Sequence, residues 1–228
     1  MIRSNVTNED QGQIRRRMWR RRGWAATALL AALPLTAGTA AAFIVNVLAP
    51  VVKIPAPPSV LPGVLVGADI HAFDERQDFR LPGPLLVDHQ GTNLVKAPGD
   101  ANPAWIPAGT CVRSHYVDYD PAVGAGSASG AIQFEGEIVG VIFRPPTLDA
   151  SNFLGAAFTT YPPNAAAGTC LVGANQCGLE ITVPTQDTFQ ITGDVLRMTF
   201  VAGNPGDRLR VITKSCACDP EPNPNPNP

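Results

Sequence analysis

The chain has 228 residues, 17 of them basic and 19 acidic, and its net charge of −2 conceals an asymmetry. Seven arginines fall within the first 22 positions, so the remainder is acidic and its field repels nucleic acid and anionic lipid. Twenty-three prolines and 21 glycines, spread widely, argue against long helices in the exported part, and an aromatic content of 7% argues weakly against a sugar-stacking platform.

Arg3, Arg15, Arg16, Arg17, Arg20, Arg21 and Arg22 precede a stretch, residues 23–52, that carries no charge. A cationic flank followed by an apolar run is the layout of an export segment, with the arginines kept in the cytoplasm and the following chain sent outside. Two forms stay open. In one, residues 1–42 are a signal peptide cut within the small-residue patch, after Ala40 or Ala42. In the other, the segment stays uncut to about residue 50, and residues 24–48 tether the protein to the inner membrane. Arg15-Arg16 followed by Met18 and Trp19 also loosely resembles a twin-arginine signal. The membrane is expected to be met only through this segment.

Residues 43–63 are rich in proline and are expected to form an extended spacer. Residues 64–218 are long enough for one domain with its own core. Their period is two rather than 3.6. Ile132, Phe134, Ile138 and Ile142 alternate with Gln133, Glu135 and Glu137, with a bend at Gly136, and beyond Val139 both faces turn apolar. Leu196, Met198 and Phe200 alternate with Arg197 and Thr199, and Leu209 and Val211 alternate with Arg208 and Arg210. The Gly203-Asn204-Pro205-Gly206 turn between these two strands predicts a hairpin. Further strands are predicted at 64–73, 84–88, 111–119, 179–183 and 187–192, and a short helix near 149–154 capped by Asp149. Many short strands between proline and glycine turns indicate an all-β fold, an antiparallel β-sandwich or jelly roll behind an apolar N-terminal helix. Residues 219–228, with proline at every second position, are expected to be a disordered, polyproline-like tail.

All five cysteines lie in the exported part, where thiols tend to pair. Cys170 and Cys177 bracket a short loop and are the nearest pair. Cys111 is expected to pair with one of Cys216 and Cys218, and the spacing does not decide the connectivity. Zinc would need paired cysteine clusters, which the sequence lacks.

Segments 70–77, 130–142, 154–162 and 208–213 are similar to those of an uncharacterised group of exported bacterial β-sandwich proteins, some of which carry C-terminal surface-sorting signals. The resemblance implies an extracytoplasmic β-domain and no particular activity, and the sorting signal itself is not found here.

Three constellations have the residue types for chemistry. Asp69 and His71, with Glu75 beyond, suit a metal or an acid–base pair if one strand face carries them. Glu135 and Glu137 have the separation of a glycosidase pair, though any strand neighbours two apart do. Asp118 and Asp120 flank Tyr119 before a glycine-rich stretch that suits calcium, without an EF-hand pattern. No Gly-x-Ser-x-Gly elbow or phosphate loop occurs. The expectation is therefore a non-enzymatic structural or binding module at the cell envelope or outside the cell, without a cofactor, metal or nucleic-acid partner. An extracellular glycan or protein is the expected ligand. The alternative is a carbohydrate- or calcium-binding module using Trp105, Tyr116, Tyr119 or Tyr161, and a hydrolase ranks third.

Overall fold

The structure, a computed structural model, describes residues 43–122, 126–162, 178–179, 181–182, 185–202, 206–216 and 218. The export segment 1–42, both Cys170 and Cys177, the 203–205 turn and the tail 219–228 lie outside the described residues. The strands, in chain order, are β1 (Ile44–Leu48), β2 (Val51–Lys53), β3 (Ile70–Asp74), β4 (Phe79–Arg80), β5 (Leu85–Val87), β6 (Ala104–Ile106), β7 (Cys111–Tyr119), β8 (Gly126–Phe134), β9 (Ile138–Ile142), β10 (Ile181–Thr182), β11 (Thr185–Gln186), β12 (Thr188–Thr192), β13 (Val195–Ala202) and β14 (Asp207–Lys214). One short helix, α1 (Pro145–Ala150), follows β9. The fold is all-β, as the period of two predicts.

Two sheets dominate. A four-stranded sheet has the order β1-β8-β13-β12, and a six-stranded sheet the order β2-β3-β7-β14-β9 with β4 added beside β7. Ile132, Phe134, Leu196 and Phe200 of the first meet Ala72, Val117, Leu209 and Val211 of the second in one core. The opposite face of the six-stranded sheet is buried too. There Phe73, Tyr116, Ile142 and Ile212 pack against Leu85 and Ile106 of the small β5–β6 sheet and against Leu148 and Leu154. Burying one such side chain contributes roughly 1.5–3 kcal/mol, so neither layer is a minor addition.

The predicted hairpin of residues 196–213 does not form. β13 pairs with β8 and β12, whereas β14 pairs with β7 and β9, in the other sheet. The reason lies in the faces not shared with the core. Arg197 and Thr199 on β13 face outward, whereas Arg208 and Arg210 on β14 are fully buried against acids of the six-stranded sheet. A turn motif specifies reversal of the chain; the charges on β14 decide which sheet it enters.

A similar crossing separates β8 from β9, at the bend expected at Gly136. A side chain at Gly136 would collide with the carbonyl oxygen of Lys214, so only glycine lets the two backbones approach there. After the crossing Val141 enters one core and Ile142 the other, which accounts for the apolar residues on both faces of β9.

The residues expected as a spacer belong to the sheets. β1 forms an edge with Ile44 buried, β2 runs parallel to β3, and Val51 and Val60 are core residues. Proline lacks an N–H, but the donors between the prolines find partners: Ile54 N–H bonds Ala72 and Val60 N–H bonds Thr160. The folded unit thus begins before residue 64, and residues 44–48 of the expected tether are a strand. No helix among the described residues is long and apolar enough to cross a membrane.

The short helix predicted near 149–154 is in two pieces, α1 beginning earlier and a 3-10 turn over Asn152–Leu154. Pro145 and Pro146 occupy the first positions of α1, where a missing N–H costs nothing. Asp149 is not its cap. Asp88, from the loop after β5, accepts the Phe143 and Arg144 N–H groups at 2.8 Å and the Thr147 hydroxyl at 2.8 Å.

Cys111 bonds Cys218, with Cα atoms 5.8 Å apart, and Cys216 is free and exposed. The register excludes Cys216. Val112 lies opposite Lys214, and the Ser215 N–H reaches the Cys111 carbonyl, so one more step along β14 turns the next side chain to the wrong face. The chain bends at Cys216 and returns Cys218 to Cys111. Such a bond is characteristic of proteins in oxidising compartments.

Candidate functional site: closed ionic clusters and an open apolar groove

The chemistry-bearing residues gather on β3, β7 and β14, beneath the surface. Arg210 forms a two-pronged pair with Glu75, Nε to Oε2 at 2.7 Å and Nη2 to Oε1 at 2.9 Å, with both side chains fully buried. Its Nη1 donates to the Ser151 hydroxyl and, at 3.1 Å, to the Leu148 carbonyl. Ser114 donates to Glu75 from below, and the rings of Tyr116 and Tyr161 lie 5.4 and 5.2 Å from the guanidinium carbon. Burial opposes charge on Arg210, but Glu75 more than offsets it and holds the guanidinium protonated above its ordinary value. Burial pushes the Tyr116 and Tyr161 hydroxyls up, so both stay neutral.

Arg208 repeats the arrangement one register position along, its Nε 2.6 Å from Asp118. Among the described residues, its two terminal nitrogens and His71 Nδ1, on the strand beside Asp118, have no hydrogen-bond partner. Arg113 bonds Asp78 at 2.7 Å and Glu135 at 2.9 Å, and its guanidinium lies over Phe43.

One cluster has the order of a catalytic triad. Asp74 is 2.8 Å from His115 Nδ1, and His115 Nε2 is 3.1 Å from the Thr213 hydroxyl. Access decides against catalysis. His115 and Thr213 are both 0% exposed, and the Phe134 ring covers the imidazole at 4.6 Å. A nucleophile must meet its substrate, and this hydroxyl meets only protein. Burial lowers the His115 pKa, against the pull of Asp74, so the folded ring is neutral. Burial acts to raise Asp74, but hydrogen bonds from His115 and Lys53 outweigh it and hold the carboxyl below its ordinary value.

This predicts acid destabilisation in two stages. The unfolded chain protonates His115 near 6.5 while the folded chain resists, so stability falls as pH drops through that value. The Asp74 contribution is complete above 3.8 and is lost as pH falls through its lower folded value. Urea midpoints measured from pH 7.5 to pH 5 are expected to decline, and His115→Asn is expected to flatten that decline. An unchanged slope in the variant would assign the pH dependence elsewhere.

The residues singled out in the sequence do not converge. Asp69 is exposed on the turn before β3, whereas Glu75 is buried against Arg210 with Phe73 between it and His71. Glu135 and Glu137 lie in the bend between sheets rather than on a strand, and Glu135 is held by Arg113. Asp118 is committed to Arg208, and Asp120 accepts the Gly63 N–H at 2.6 Å. Among the described residues no three His, Cys, Asp or Glu side chains gather as a metal site. Tyr116 and Tyr119 are core residues, Tyr119 stacked on Phe200, so these two do not contribute to an exposed aromatic strip.

Trp105 differs from the tyrosine candidates. It is 62% exposed on β6, and together with Phe153, itself 44% exposed, it lines a groove of about 290 Å³. Pro84, Leu86, Pro146 and Ala150 line the floor and walls. A second, larger groove of about 350 Å³ crosses the outer face of the four-stranded sheet. Its lining is mixed, with Ser129, Thr188, Thr199 and Arg197 in adjacent rows beside Leu48 and Leu94.

Sequence reasoning missed Asp88, Ser151 and the buried state of both β14 arginines. Arg208 and Arg210 alternate with Leu209 and Val211, and alternation alone does not distinguish water from a second buried layer. Comparison with family models, with curated proteins and with solved structures finds no match to this chain.

Proposed function

We propose that this protein is an exported, non-enzymatic β-sandwich that binds a protein segment at the cell envelope or outside the cell through the groove between Trp105 and Phe153. The observation that carries the reading is a separation of roles. The ionic clusters are closed, with the triad-like hydroxyl of Thr213 inaccessible, while the open concave surface beside Trp105 is apolar. Apolar pockets with exposed aromatic rims are the usual form of binding sites. A glycan would need several polar side chains around the indole, and the lining offers only Thr147 and Ser151, the latter already bonded to Arg210. The acidic charge of the domain disfavours nucleic acid, and membrane contact is assigned to the N-terminal segment alone. Export is supported by the arginine-flanked leader, by the Cys111–Cys218 bond and by the resemblance to exported bacterial proteins. A jelly-roll-like description is supported by consecutive strands that change sheet, as at β1–β2, β8–β9 and β13–β14.

The test is retention on isolated envelopes. The protein is expected to sediment with them, and Trp105→Ala with Phe153→Ala is expected to release it without lowering the unfolding midpoint. Protease treatment of the envelopes should abolish retention, and glycosidase treatment should not. Equal retention of the double variant would refute the groove as the binding surface.

A further inference from the structure

We propose that the Trp105–Phe153 groove is a receptor for proline-rich chain in extended conformation, and that its resident occupant is the protein's own segment 219–228. The inference rests on the groove being a binding surface and adds the ligand class. Aromatic-lined grooves take polyproline helices because proline rings pack flat on indole and the ligand pays little ordering entropy. The groove suits such a ligand, since its walls offer few acceptors and proline brings no N–H that needs one. In residues 219–228 proline occupies every second position. With three residues per turn, all three faces then carry the same proline–asparagine alternation, so docking does not depend on which face meets the groove.

Position supports the occupant. The Cys218 sulfur lies 3.3 Å from the Asp78 carbonyl, and the next residue, Phe79, has its ring 6.1 Å from that of Phe153 on the groove lip. The tail is therefore rooted beside the groove, and ten residues at about 3.1 Å each reach across it. Charge agrees as well. The segment starts with Asp219 and Glu221, and Arg76 lies on this path. It sits 4.0 Å over the Phe79 ring and donates to the Phe153 carbonyl at 3.2 Å. A short tether gives a local concentration in the millimolar range, so a weak groove is filled in cis, and an external proline-rich partner must displace the tail.

Trp105 reports occupancy directly. Of the three tryptophans, Trp19 and Trp24 are in the leader, so the full chain with Trp19→Phe and Trp24→Phe emits from Trp105 alone. In this chain the emission is expected to be blue-shifted and weakly quenched by acrylamide. A stop after Cys218, or Pro222→Ser with Pro224→Ser and Pro226→Ser, is expected to shift it red and raise quenching several-fold. Adding a synthetic peptide of residues 219–228 to the truncated chain should reverse both changes. Identical emission and quenching in the three chains would overturn the cis contact. If envelopes still protected Trp105 in all of them, the groove would stand as a binding surface and only its assigned occupant would fall. If envelopes did nothing either, both would fall.

Discussion

Arg210→Met is expected to destabilise the domain by about 3–5 kcal/mol, because it leaves Glu75 charged and unpaired in the interior. Glu75 is only 8% exposed, and Arg210 is its cationic partner beside the neutral hydroxyls of Ser114 and Tyr161. Removing the arginine also takes one donor each from the Leu148 carbonyl and the Ser151 hydroxyl, which stay bonded to one another at 2.9 Å. A domain of this size loses roughly 2–4 °C of Tm per kcal/mol, giving a fall on the order of 10 °C. The companion variant Glu75→Met with Arg210→Met removes both charges and is expected to be more stable than Arg210→Met alone, since no uncompensated charge remains. Urea unfolding with an unchanged m value checks both. A loss below about 1 kcal/mol for Arg210→Met would mean that water reaches Glu75, and would contradict the buried placement.

The same pair marks the limit of what the sequence can express. The all-β class was legible because alternation reports directly on strands half-buried against a core. Ile132 and Phe134, and Leu196, Met198 and Phe200, all face the core between the sheets as the alternation predicts. Which strands pair was not legible where the chain crosses between sheets. β13 and β14 both alternate and both point apolar residues at that core, and a hairpin and a crossing differ only in what the other face meets. That face is answered by Glu75 and Asp118, more than 80 residues away in sequence, which no local pattern connects to Arg208 and Arg210. The candidate site was hidden for a related reason. Trp105 is isolated in sequence. Its groove is built by β5, β6 and α1, and α1 is pinned at its start by Asp88, which the sequence places only at the end of the predicted strand 84–88.

Cys218→Ser is expected to destabilise the domain by about 4–5 kcal/mol, and Cys216→Ser is expected to be neutral. The Cys111–Cys218 bond closes a loop of 107 residues, and in the chain-entropy model a closure of about 100 residues restricts the unfolded ensemble by about 4.7 kcal/mol. Against a total stability of roughly 5–15 kcal/mol, that loss brings the domain close to unfolding at 37 °C. The native ladder does not replace the bond. β14 is paired on both sides as far as Thr213, the Ser215–Cys111 hydrogen bond follows, and the disulfide then holds Cys218 beside Asp78. In chains carrying Cys170→Ser and Cys177→Ser, which remove the other expected pair, reduction should reproduce the Cys218→Ser midpoint and have no further effect on that variant. If Cys216→Ser proved the costly change, Cys216 would be the partner of Cys111, and the register of β14 against β7 would have to shift by an odd number of residues. Such a shift would turn Arg208 and Arg210 into the core between the sheets, so the two cysteine variants and Arg210→Met test the same strand register from its two ends.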